Sequence, residues 1–184
     1  MKTKIVGAVC AAALALPAAT FAQSTEETGV YIGGSIGQME AEGTCPAGFT
    51  CDLKDTAWKL FGGYRVNRHL AVEGSYFNLG EIRLSGGGVS ATGEGDSWSL
   101  AAVGILPVGS SFSLFGKAGV AKTEVEARAT GPGGTVVGNG DQTELHFGAG
   151  AMFSISRNLS LRGEWERFED SEVDMISIGL QYRF

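Results

Sequence analysis

Eight segments of this chain alternate in character with a period of two, and the charges they carry fall on one face only. A two-residue period is that of a β-strand, whose successive side chains point to opposite sides of a sheet, and it does not fit the 3.6-residue period of a helix. The apolar stripes begin with Val30, Ile32, Gly34 and Ile36, then Trp58, Leu60, Gly62, Tyr64 and Val66, then Leu70, Val72, Gly74 and Tyr76. The fourth stripe is Trp98, Leu100, Ala102, Gly104 and Leu106, and the fifth is Phe112, Leu114, Gly116, Ala118 and Val120. The sixth is Leu145, Phe147, Ala149, Ala151 and Phe153, the seventh Leu159, Leu161, Gly163 and Trp165, and the eighth Ile176, Ile178, Leu180, Tyr182 and Phe184. The opposite faces hold Lys59, Arg65, Glu73, Lys117, Glu144, Arg162, Glu164, Glu166 and Arg183, together with Tyr31, Ser35, Ser99 and His146.

Such segregation fits a soluble barrel with its charges outward, or a membrane barrel whose apolar face meets lipid while polar side chains fill the interior. Connection lengths favour the second. The links Asn67–His69, Pro107–Ser111 and Ser156–Asn158 are short, whereas Met39–Asp55, Leu79–Asp96 and Thr123–Gln142 are long, and the two kinds alternate before a last, shorter link near Glu169–Val173. Short turns at one end and long loops at the other are the habit of outer-membrane barrels. Aromatic residues cluster near both strand ends: Trp58, Tyr76, Trp98 and Trp165 at the long-loop end, and Tyr64, Phe112, Phe153, Tyr182 and Phe184 at the short-turn end. These predict two interfacial girdles. Gly62, Gly74, Gly104, Gly116 and Gly163 fall at mid-strand on the lipid face, where local weakening of the strand would ease the curvature of a small barrel.

The leader accounts for the one apolar run outside the strands. Lys2 and Lys4 precede an apolar stretch from Ile5 to Leu16, then Pro17 and small residues before Gln23, so residues 1–22 read as a cleaved signal peptide and residues 23–184 as a single barrel domain. Cys10 follows Val9, too bulky for lipoprotein processing, and leaves with the leader. No later apolar run approaches the ~20 residues a membrane helix requires, so a membrane location is reached by strands. Glycine is abundant, at 29 residues against 4 prolines, but follows no Gly-X-Y period, which excludes collagen. Of 14 Lys and Arg, removing Lys2 and Lys4 leaves 12 against 20 Asp and Glu, a charge of about −8 that excludes nucleic acid as a natural partner.

The segment Ile178-Gly179-Leu180-Gln181-Tyr182-Arg183-Phe184 closes the chain on alternating apolar residues and a terminal aromatic, and it resembles the signal read by the outer-membrane barrel assembly machinery. Ile178, Leu180, Tyr182 and Phe184 carry that likeness. With Gly62-Gly63-Tyr64-Arg65, Leu70-Ala71-Val72-Glu73, Phe115-Gly116-Lys117-Ala118-Gly119 and Leu159-Ser160-Leu161-Arg162-Gly163-Glu164-Trp165, the region Gly29–Phe184 resembles the OmpA-like transmembrane domain and the small outer-membrane barrel superfamily. The resemblance implies an all-β, eight-stranded antiparallel up-and-down barrel with an interior charge network that obstructs a continuous water path. It implies assembly machinery and periplasmic chaperones as partners in biogenesis, lipid and lipopolysaccharide as neighbours, and a monomer. Full-length OmpA proteins continue into a wall-binding domain, whereas this sequence stops at Phe184, so a wall-anchoring role is not carried over.

Ranking the interior charges by height predicts three opposite pairs: Glu73 with Arg162, Lys117 with Glu164, and Lys59 with Glu166. In a lumen narrow enough for side chains to fill, an isolated charge costs several kcal/mol, so the six residues read as a stacked plug, serving either as a gate or as a packed polar core. Cys45 and Cys51 lie close in sequence in the first long link, and export into an oxidising compartment makes a disulfide the default. A redox or metal site there lacks a nearby His and a Cys-x-x-Cys spacing. An enzyme would need His69 or His146 as base. Neither has a nucleophile at a diagnostic spacing, and Ser99 and Ser177 read as interior serines, so no catalytic residue, metal site or cofactor is expected. The outer links are rich in Gly, Ser and Thr, as in Ser85-Gly86-Gly87-Gly88 and Thr130-Gly131-Pro132-Gly133-Gly134, and read as mobile loops. The function expected is that of an integral outer-membrane structural protein with a plugged lumen. The alternatives are a narrow pore for small solutes or ions, and a surface adhesion protein acting through its loops.

Overall fold

A computed structural model describes residues 28–41, 49–87 and 89–184. The proposed signal peptide lies outside the described residues. Among the described residues nine strands follow in order: β1 (Gly29–Ala41), β2 (Thr50–Asp52), β3 (Lys54–Arg65), β4 (Leu70–Gly86), β5 (Val89–Pro107), β6 (Phe112–Gly131), β7 (Gly134–Ser154), β8 (Leu159–Phe168) and β9 (Val173–Arg183). Eight of them form a closed antiparallel barrel in which β1 pairs β3 and β9, each later strand pairs its neighbour, and β4–β5 completes the circuit. Strand β2 lies outside that circuit, adding three residue pairs to the outer end of β4.

Exposure decides the orientation of the faces. The apolar stripes point outward, with Ile32, Ile36, Leu60, Leu100, Ile176 and Ile178 all more than half exposed, while Lys59, Glu73, Lys117, Arg162, Glu164 and Glu166 are buried inside. A soluble barrel inverts this arrangement; a membrane barrel requires it. From Trp58 on β3 to Val66 just past its end the stripe spans roughly 20 Å, taking ~3.3 Å per residue and a tilt near 40°. Trp58, Tyr76 and Trp98 form a contiguous part of the outer girdle, their ring centroids 5.5 and 4.7 Å apart across β3, β4 and β5. At the other end Tyr182 and Phe184 meet edge-on at 5.1 Å.

The inner turns are short, at residues 66–69, 108–111 and 155–158. Two of the outer links depart from the sequence expectation. The stretches Leu79–Asp96 and Thr123–Gln142 are not loops: β4 and β5 run on until Gly86 pairs with Val89, and β6 and β7 to a tight turn at residues 132–133, so both links are tall β-hairpins. The physical reason is that, beyond Leu79 and Ile82 on β4, these extensions pack on no core. Most of β6 and β7 beyond Thr123 and before Glu144 is exposed on both sides, so the burial pattern that marks a strand is absent while the backbone ladder persists.

The glycines also sort differently from expectation. At the lipid-facing Gly62, Gly74, Gly104 and Gly116 an added Cβ would meet nothing nearer than 3.6 Å, and at Gly163 nothing within 4 Å, so no close approach demands glycine there. Among the constrained positions are the inward-facing Gly33, Gly63 and Gly150, where the rings of Phe61, Tyr31 and Phe115 lie against the backbone.

Candidate functional site

The lumen is built in three layers. Toward the inner end, Tyr31, Phe61, Ala71, Val103, Ile105, Phe115 and Met152 form one apolar cluster. Toward the outer end, Met39, Ala57, Phe77, Leu79, Ala121, Phe168, Val173 and Met175 form another. Strand alternation sets the spacing between them: on β3 Lys59 sits two residues from Phe61 and from Ala57, on β6 Lys117 follows Phe115 by two, and on β8 Arg162, Glu164 and Glu166 precede Phe168. The six-residue charge cluster is thus held in a slab between two apolar seals.

Within the slab the three bases and three acids contact one another as a single network. Arg162 grips Glu73 through both guanidinium nitrogens, Nη1 to Oε2 at 2.6 Å and Nη2 to Oε1 at 3.0 Å. Lys117 Nζ lies 3.0 Å from Glu164 Oε2, and Lys59 Nζ donates to Glu166 Oε2 at 2.7 Å. These are the pairs that equal height suggests, but the contacts extend further. Lys59 also pairs with Glu164 and Lys117 with Glu166, Lys117 reaches Glu73 at 3.4 Å, and Arg162 Nη2 donates to Glu164 at 3.0 Å. Each acid meets at least two cations, and the six formal charges cancel. Buried ion pairs repay their desolvation only with this degree of mutual satisfaction.

Sequence reasoning missed the neutral members. Tyr31 donates its hydroxyl to Glu73 Oε2 at 3.0 Å, and Arg162 Nη1 donates to Gln181 Oε1 at 3.2 Å. The Arg162 guanidinium also lies between the rings of Phe61 and Phe115, 4.4 and 4.3 Å from their centroids. Period two already placed Tyr31 on the inward face of its strand, which was the available signal. His146 Nε2 sits 3.2 Å from Glu166 Oε1, and its ring stacks on Phe168 at 4.8 Å and meets Phe77 edge-on at 5.4 Å. Held in this way, His146 is packed rather than poised beside a nucleophile. His69 lies in an inner turn, its Nδ1 3.2 Å from the carbonyl of Ile105, and among the described residues the buried Ser99 and Ser177 hydroxyls hydrogen-bond to neither histidine. Among the described residues no group of His, Cys, Asp and Glu is arranged to hold a metal ion. Cys51 lies in β2, whereas Cys45 falls outside the described residues.

A second polar cluster lies on the outer side of the apolar seal. Buried Glu144 on β7 accepts from Thr123 Oγ1 at 2.6 Å and from both the backbone N–H and the hydroxyl of Ser171, at 2.8 and 2.7 Å. It therefore fastens the β8–β9 turn to β6 and β7.

An inverted barrel with charge inside and aliphatic side chains outside is the form of an outer-membrane β-barrel, and the profile of the outer membrane protein beta-barrel domain family matches residues 8–184. The chain belongs to this family. Solved structures of other outer-membrane barrels share the fold. Ail, the attachment invasion locus protein of Yersinia pestis, is 21% identical, with a TM-score of 0.56 over 86% of this chain and 99% of that one. OprG of Pseudomonas aeruginosa is 15% identical, with a TM-score of 0.63 over 86% and 97% of the two chains. The N-terminal β-barrel domain of OprF from the same organism is 14% identical, with a TM-score of 0.59 over 86% and 99%. At these identities the likeness is one of fold. No curated protein matches the sequence.

Proposed function

We propose that this outer-membrane barrel is a structural element of the membrane whose lumen is held closed. The observation that carries the reading is the neutral six-residue ionic slab between two apolar clusters, which together fill the section that a pore would need open. A hydrated ion crossing it would have to separate buried ion pairs and pass two dry layers, each unfavourable by several kcal/mol. Lipid and lipopolysaccharide are its neighbours through the aliphatic stripes, and the terminal residues Ile178, Leu180, Tyr182 and Phe184 are its address for the assembly machinery. Cys45 and Cys51 are proposed to form a disulfide in the first outer link. Proteoliposomes carrying the folded protein, placed in isotonic solutions of small sugars or amino acids, test the reading: it expects no swelling beyond that of protein-free vesicles, and swelling graded by solute size would establish a pore instead.

A surface-binding reading has one observation in its favour. Strand β7 pairs β8 only from His146 inward, so among the described residues its outer half, Gly134–Thr143, presents a β-edge paired on one side alone. Such an edge can accept an added strand. Binding of whole cells to immobilised host matrix proteins, compared with and without this hairpin, distinguishes the two.

A further inference from the structure

We propose that the inner mouth of the barrel is a binding site for a phosphate-bearing anion. A cavity of about 340 Å³ opens there, lined by Arg65, Arg68, Arg157 and Arg183, with Asn158, Gln181 and serine hydroxyls completing its wall. No Asp or Glu lines it. The chain holds 20 acidic residues, yet the inner turns at 66–69, 108–111 and 155–158 contain none, so acidic side chains are kept from the turns where the arginines gather. Among the described residues Arg157 and Arg183 have no ion-pair partner.

The Arg183 side chain and the Arg157 backbone are tied together before any ligand arrives. Arg183 Nη2 donates to the Arg157 carbonyl at 3.2 Å, Asn158 Nδ2 donates to the Arg183 carbonyl at 2.6 Å, and the Arg183 N–H donates to the Asn158 carbonyl at 2.8 Å. The 155–158 turn and the end of β9 thereby form one hydrogen-bonded unit that fixes the Arg183 guanidinium and places the Arg157 backbone at the cavity wall. Its ceiling includes the buried Gln181, whose side chain is engaged by Arg162 in the ionic slab. Several guanidinium groups facing one small space repel each other, and an anion that accepts from more than one of them removes the repulsion. The planar guanidinium fork matches the oxygens of a phosphate, in pairs. A single carboxylate offers one charge and one edge, whereas a phosphate or diphosphate offers several, which is what arginines arranged around a cavity can use. The source is either a free phosphate compound or the headgroup of an anionic phospholipid at the inner leaflet.

Calorimetric titration of inorganic pyrophosphate into the folded, detergent-solubilised protein at low salt tests the site, independently of whether the lumen conducts. We expect one saturable site, with affinity lowered at least about tenfold by the paired change Arg157→Gln and Arg183→Gln, since two charge-assisted hydrogen bonds are removed, and weakened by added sodium chloride. The paired change Arg157→Lys and Arg183→Lys, which keeps charge but not the fork, should lie between the two and serves also where the Gln variant does not fold. Absence of saturable binding, or equal affinity in the parent and the variant that folds, overturns the proposal. Repeating the titration in nanodiscs assigns the source: loss of pyrophosphate binding in phosphatidylglycerol discs but not in phosphatidylcholine discs identifies a lipid headgroup as occupant, and equal binding in both identifies a free phosphate compound.

Discussion

Glu164 is the residue on which the ionic slab turns, because its carboxylate meets Lys59, Lys117 and Arg162. Glu164→Ala leaves three buried cations facing two carboxylates, so we expect a loss of about 3 to 5 kcal/mol, read as a lower urea midpoint. Exchanging the signs of Lys117 and Glu164 together should not restore it. The new acid at position 117 would face Glu73 and Glu166, and the new base at 164 would face Lys59 and Arg162. Height along a strand is legible in the sequence because alternation fixes which side chains point inward, and that is enough to choose the six charged residues. It treats them as separate pairs, however, and the cross-contacts depend on side-chain reach across the lumen. Tyr31 and Gln181 were not legible as partners because a neutral side chain imposes no requirement for an opposite charge.

On the scale of single elements, the outer part of the β6–β7 hairpin is a ladder without a core. Removing the tip of the β6–β7 hairpin, residues 126–138, and rejoining it with a short Asn-Gly turn should leave the unfolding free energy from urea titration within about 0.5 kcal/mol of the parent, because exposed positions of this kind contribute little. A large loss would mean that the hairpin supports the barrel. The alternation of Glu124, Glu126 and Arg128 with Val125, Ala127 and Ala129 was present in the sequence, but the glycines of the returning strand and the Pro132-Gly133 turn gave the segment the composition of a loop. A second element-scale feature is the bulge in β4 between Asn78 and Glu81, where Gly80 adopts φ +77°. Asp55, beyond the outer girdle, spans it by accepting from the N–H of Glu81 and of Thr56, each at 2.7 Å. These two donors, Glu81 first, hold the Asp55 carboxyl below its ordinary value. A depressed carboxylate contributes stability that is present above its unfolded value of about 3.9 and lost as pH falls through the folded one. Protection of the Glu81 amide against hydrogen exchange should therefore be constant from pH 7 to 5 and fall in more acidic solution; protection unchanged at pH 2 would contradict this.

For the whole molecule, assembly and the finished state make different demands on the same residues. Phe184 is largely exposed to lipid and touches Tyr182, so its contribution to the finished barrel is at most about 1.5 to 3 kcal/mol. Deleting it should nonetheless cut the amount of protein in the outer membrane sharply and leave precursor or degraded chain in the periplasm, measured by fractionation and immunoblotting; normal outer-membrane levels would count against a recognition role. The closed barrel was legible from the eight stripes, since a sheet with one aliphatic and one charged face has few ways to satisfy both. The two apolar seals were not, because Phe61, Phe77, Phe115 and Phe168 occupy inward positions that the polar-interior pattern assigned to hydrophilic side chains. These seals, with the ions between them, make the central claim that the lumen is shut. Single-channel recording from the purified, folded protein in a planar bilayer tests it most directly: the parent should be electrically silent at 100 mV and Glu164→Ala should show discrete openings, whereas steady conductance from the parent itself, at a level unchanged by Glu164→Ala, would contradict it.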